Sequence, residues 1–133
     1  MGQMLQVDRV IDLSPQGIVC ETDLAGHWVF GVHFPGDPIF PGSLIVEAAG
    51  QTIALWAWEN GMRGDPRLVR VGAEFRSPVR PQDAVLTYSA TIRRRQSLCV
   101  GRVAVSARGR QVALIEESLV VSARRKTDER EGG

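Results

Sequence analysis

The chain has 133 residues, enough for one domain with its own core and too few for two of ordinary size. With 16 basic and 15 acidic residues the formal net charge is +1, which excludes a general electrostatic pull towards nucleic acid or an anionic membrane. A composition 44% hydrophobic and 23% charged is that of a globular domain rather than a membrane-embedded or unfolded chain.

The first ten residues contain Gln, Asp and Arg and no apolar run, so they do not read as a secretory signal, and a cytoplasmic location is expected. Residues 5–13 (LQVDRVIDL) and 17–24 (GIVCETDL) are short β-rich runs with a turn between them at 14–17. Residues 27–42 form a loop containing Gly31, Gly36, Gly42, Pro35, Pro38 and Pro41. Ser43 is a suitable N-cap for a helix running to about Asn60, which Gly61, Gly64 and Pro66 terminate. The apolar stretch at 43–58 is too short to span a membrane and holds a carboxylate.

Beyond the helix a strand is expected over 68–75, followed by strands over 84–93, 98–107 and 111–121, with turns at 81–83 and 108–110. The polar residues 123–133 (ARRKTDEREGG) are expected to be a disordered tail, leaving one domain over 1–122. Cys20 and Cys99 lack metal-ligand or redox spacing and read as reduced interior thiols.

The helix is apolar nearly all round, with Leu44, Ile45, Val46, Ala48, Ala49, Ile53, Ala54, Leu55, Trp56 and Trp58. A helix of that kind is expected to be buried on most sides. The order strand, strand, helix and then four strands predicts an α+β fold in which an antiparallel sheet curls around one long helix.

Glu47 is the only charge between Ser43 and Trp58. The three prolines before it, at every third position, stiffen the loop and place His33. The helix start presents backbone N–H groups able to stabilise a developing oxyanion. Burial of Glu47 among Leu44, Ile45 and Val46 would favour its protonated form, and the helix dipole its charged form. If burial prevails, Glu47 becomes a proton-transfer acid, with the Gln51 amide one turn on to orient it. A solvent-facing Glu47 and a loop histidine bonded to backbone are the plain alternatives. Their combination across a rigid Gly/Pro loop is what points to chemistry.

The run HFPGDPIFPGSLIVEAAGQ (33–51) resembles the signature of the (3R)-hydroxyacyl-[acyl carrier protein] dehydratases, which have the hotdog fold. LQVDRV at 5–10 and FRSPVRPQD at 75–83 are similar to further segments of that family. The resemblance implies a central helix wrapped by an antiparallel sheet and a homodimer, in some members a trimer of dimers. His from one subunit then meets the acid of the other. It implies loss of water from a 3-hydroxyacyl thioester, carried on the phosphopantetheine arm of an acyl carrier protein, with no metal or organic cofactor. On this resemblance His33 takes the C2 proton, and Glu47 assists departure of the 3-hydroxyl. The Gly42 N–H polarises the thioester carbonyl, Gln51 supports Glu47, and Phe34 belongs to the substrate-binding loop. Glu47, where double-bond-isomerising relatives commonly carry Asp, favours a dehydratase without isomerase activity.

Two departures stand out. Residues 66–72 (PRLVRVG) lack the tyrosine that often gates the acyl tunnel, and the one tyrosine, Tyr88, is on a later strand. Trp28, Trp56 and Trp58 read first as core packing and second as a reshaped acyl pocket. Arg93, Arg94 and Arg95 form a basic run that reads as a solvated strand edge or as a docking patch for an acidic carrier protein. The competing functions are a hotdog hydratase or thioesterase on coenzyme A thioesters and a non-catalytic acyl-binding scaffold. The loop at 33–36 argues against a thioesterase, and the His33/Glu47 pair argues against a scaffold.

Overall fold

The computed structural model describes residues 6–31 and 36–122. The chain order is β1 (Arg9–Ser14), β2 (Gly17–Asp23), a 3-10 turn (Trp28–Gly31), α1 (Gly42–Glu59) and β3 (Asp65–Phe75). A second 3-10 turn (Pro81–Asp83), β4 (Val85–Arg95), β5 (Leu98–Ala107) and β6 (Arg110–Ser122) complete it. The six strands form one antiparallel sheet in the order β1-β2-β4-β5-β6-β3. The sheet stays open, with β1 and β3 as its edges. One long helix packed on such a sheet is the hotdog arrangement expected from the resemblance.

The helix packs through one stripe. Ile45, Ala48, Ala49, Thr52, Ile53, Trp56 and Ala57 are buried, a spacing of three and four residues that keeps them on one face. They meet the inward row of the sheet, which includes Ile18, Leu86, Tyr88, Val103 and Ile115. Contact is close at Gly101 of β5, where a Cβ would stand 2.4 Å from Ile53 Cδ1. Burial on most sides, as the all-round apolar pattern predicts, is not what one chain achieves. An open sheet covers one face, and the opposite stripe with Glu47 and Trp58 stays exposed.

Several boundaries differ from expectation for local reasons. Pro41, not Ser43, is the N-cap residue of α1. Its extended backbone (φ −65°, ψ 142°) leaves its carbonyl accepting from the Leu44 and Ile45 amides, and Ser43 lies exposed inside the first turn. Pro66 does not merely follow the helix but pairs with Val121 within β3, a position an edge strand tolerates. β1 begins at Arg9 rather than residue 5, and β4 runs on to Arg95. The β5–β6 hairpin turns through Arg108 (φ 50°) and Gly109 (φ 76°), the doubly left-handed geometry that matches strand twist. Cys20 and Cys99 are buried free thiols whose pKa values burial raises. No helix among the described residues is long and apolar enough to cross a membrane. The tail at 123–133 lies outside the described residues.

Candidate active site

Glu47 and Gln51 stand one turn apart on α1, outside the stripe that is buried against the sheet. Gln51 Nε2 donates to Glu47 Oε1 at 3.3 Å, so the amide does hold the carboxylate. Gln51 is itself oriented, because its Oε1 accepts the Gln6 backbone N–H at 2.8 Å. The Thr22 hydroxyl donates to the Gln6 carbonyl, and Thr22 Oγ1 lies 3.1 Å from the Tyr88 hydroxyl. Since Thr22 has one proton and gives it to Gln6, Tyr88 supplies the proton of that second contact. A polar line therefore runs from the buried Tyr88 to the exposed carboxylate. Tyr88 is wholly buried in this role, and burial raises its pKa.

The expected burial of Glu47 among Leu44, Ile45 and Val46 is corrected by the structure. Glu47 is exposed, because it lies outside the packed stripe of the helix and on the wall of cavities that α1 shares with the sheet. The buried carboxyl is Glu117 of β6, only 2% exposed. It stands in the inward row between Ile115 and Leu119, flanked by Gly101 of β5 and Val71 of β3. Gly50 of α1 leaves the space it occupies, since a Cβ there would lie 3.0 Å from Glu117 Oε2. Burial, with the Glu47 charge acting in the same direction, pushes Glu117 up to about 7. Glu117 Oε2 has no hydrogen-bond partner among the described residues.

Two cavities meet at Glu47 and Gln51. One, of about 380 Å³, is otherwise apolar and includes Leu55, Trp58 and Met62 in its wall. The other, of about 210 Å³, lies between α1 and the sheet and has Glu117 in its wall with Gly50 and Leu68. The first could take an acyl chain, with Glu47 facing its polar end.

Gly42 is the first residue of α1, where helical amides have no intrahelical partners. The Phe75 ring lies over it, 2.9 Å from where a Cβ would be. The approach is anchored from the other side of the chain. The Phe40 N–H donates to the Val79 carbonyl at 2.7 Å, and Arg80 pairs with Asp37. Arg110 grips both oxygens of Asp83 at 2.9 Å and the Pro78 carbonyl at 3.0 Å, and this contact lowers the Asp83 pKa. Gly42 lines a third cleft, of about 400 Å³, with Phe40, Ile45 and Phe75. Within one chain, therefore, Glu47 and Gln51 share cavities and Gly42 does not join them. His33 and Phe34 lie outside the described residues.

Arg93, Arg94 and Arg95 are exposed at the end of β4, but strand alternation divides them. Arg94 pairs with the buried Cys99 and so shares the side of Tyr88 and Ile92, whereas Arg93 and Arg95 face the other way. Of the tryptophans, Trp56 is core, its Nε1 donating to the Ser14 carbonyl at 2.9 Å. Trp28 and Trp58 are exposed, the latter with Arg63 4.0 Å from its ring centre.

Residues 1–116 match the model of the FabA-like domain. Among solved structures, the chain is similar to the dehydratase heterocomplex ApeI:P from Xenorhabdus doucetiae, with 17% identity and a TM-score of 0.77 over 98% of this chain and 90% of that one. It is similar to a hypothetical thioesterase protein with coenzyme A from Streptococcus pneumoniae TIGR4, with 15% identity and a TM-score of 0.74 over 95% and 94%. A third is smu.793 from Streptococcus mutans UA159 bound to acetyl CoA, with 14% identity and a TM-score of 0.69 over 88% and 90%. At these identities the likeness speaks for the fold.

Proposed function

The chain belongs to the FabA-like domain family, and on that premise we propose that it dehydrates (3R)-hydroxyacyl thioesters on acyl carrier protein to trans-2-enoyl thioesters. The observation that carries the reading is the Glu47 carboxylate, clamped by Gln51 beside an apolar cavity of about 380 Å³. The reaction needs a proton donor facing C3, because hydroxide leaves poorly, and Glu47 is assigned that role. It also needs a base for the weakly acidic C2 proton and a donor to the thioester oxygen. His33 is assigned the first role, and the Gly42 N–H at the helix start the second.

The unit proposed is a homodimer with composite sites. In one chain Gly42 and Glu47 line different cavities, so a site made by two chains brings the Glu47 of one to the His33 and Gly42 of the other. Arg93–Arg95 are assigned to encounter with the acidic carrier protein.

The test is hydration of crotonyl and longer trans-2-enoyl thioesters, on carrier protein and on coenzyme A, followed by loss of enoyl absorbance. Turnover that Glu47→Gln lowers by about 100-fold or more is expected. The second reading, thioester hydrolysis or hydration on coenzyme A, draws on the similar structures solved with coenzyme A and acetyl CoA. Release of free thiol from the same substrates would replace the dehydratase reading with the hydrolase.

A further inference from the structure

Glu117 is a buried acid that the reaction as described does not use. It sits in an otherwise apolar row of β6, and Gly50 across from it is what admits its side chain. One of its oxygens is buried without a partner among the described residues, an arrangement that is costly unless the oxygen is occupied in some state of the protein. The cavity of about 210 Å³ puts Glu117 and Glu47 around the same space, which has room for bridging water.

The groups that face Glu117 are few. From α1 they are Glu47, Gln51 and Gly50. From β5 they are Gly101 and, diagonally, the buried Cys99; from β3 it is Val71. By strand alternation Arg70, which pairs with Ser118, and the Arg102–Glu116 pair belong to the opposite row of the sheet. Arg70 and Glu116 line one further cavity with Glu117, of about 250 Å³, but the charge that acts on its pKa is that of Glu47.

Resting on the dehydratase reading, we propose that Glu117 is a positioning residue that holds a proton in reserve for Glu47, the two carboxyls sharing one proton across the cavity between helix and sheet. Two like charges in one site do not both ionise readily, so the proton stays with the pair. In the dehydration direction the one shared proton passes from Glu117 through water to Glu47 and from Glu47 to the leaving 3-hydroxyl, which departs as water, while the C2 proton goes to the base. Glu117 is reprotonated from solvent, the base releases its proton to solvent, and the count closes. The burial that pushes Glu117 up to about 7 suits it to this role, because the reserve is full below neutrality.

The first arm of the test needs no turnover. The infrared carbonyl band of protonated Glu117, assigned by its loss in Glu117→Gln, is titrated in the wild type and in Glu47→Gln. A midpoint that falls by about one pH unit when the Glu47 charge is removed is expected. An unchanged midpoint, or a Glu117 ionised throughout, overturns the sharing of the proton. The second arm is the pH dependence of kcat and KM for the enoyl thioester. In Glu117→Gln the alkaline limb of kcat should move to lower pH by about one unit with KM unchanged. A uniform fall in kcat at every pH would mean a structural role and overturn the proposal. A coupled titration in a protein without hydration or dehydration activity would keep the shared proton and sink the dehydratase reading alone. If Glu117→Gln does not fold, the band is assigned by its shift in Glu117→Asp, and its midpoint in Glu47→Gln against wild type still decides.

Discussion

A carboxyl held neutral by burial writes itself into stability. Glu117 titrates near 7 in the fold against an ordinary value of 4.5, so between those limits the native state binds more protons than the unfolded chain. Stability therefore falls as pH rises through that window and levels off above it. For a side chain only 2% exposed, the full effect is about 3 kcal/mol. Glu117→Gln keeps the shape and removes the ionisation. Urea unfolding at pH 5 and pH 8 should show wild type losing about this amount while the variant loses correspondingly less. Equal losses would mean that Glu117 ionises freely in the native protein.

The helix and β5 meet with no slack at one point, and that contact fixes where the site residues sit. Gly101 lies under Ile53, so a Cβ there must displace the helix or bend the side chain from its rotamer. Gly101→Ala should cost about 1–3 kcal/mol, and less in an Ile53→Ala background, where the colliding atoms are gone. A thermal-unfolding double-mutant cycle with no coupling would show that the contact yields freely. How far such features could be read in advance differs by element. The helix and all six strands were legible, because a 16-residue apolar run and alternating β segments have few other solutions. Glu47 and Gln51 were legible because their spacing of four places them on one face. Glu117 was not, although the signal lies in residues 111–121: Ala113, Ile115, Glu117, Leu119 and Val121 form one row. The opposite row carries Val112, Leu114 and Val120, so alternation alone leaves the inward side open. The exposure of Glu47 was equally hidden, since a helix apolar all round does not reveal which face its own sheet will cover.

At the scale of the molecule, two surfaces are left over and they adjoin. One is the helix stripe with Glu47 and Trp58; the other is β3, eleven residues exposed along their length. β3 pairs only with β6 among the described residues and presents Leu68, Val69, Val71 and Phe75 at 46–62% exposure. An edge of that length and character is a pairing hazard for a monomer unless something covers it. In the homodimer proposed above, a second copy would cover it on both chains at once, since a two-fold dimer uses one patch twice. Arg67, Arg70 and Glu74 interrupt the strand, which favours one register over indiscriminate stacking. Wild type should therefore sediment as a dimer, and Val69→Asp should weaken association by about 100-fold or more, because symmetry buries the new charge twice. Circular dichroism should show the fold intact. Thioester hydration should fall in step with dissociation, because Gly42 and Glu47 of one chain do not share a cavity. A Val69→Asp protein that is monomeric yet fully active would place the whole site within one chain. A wild type that sediments as a monomer would require another occupant for β3.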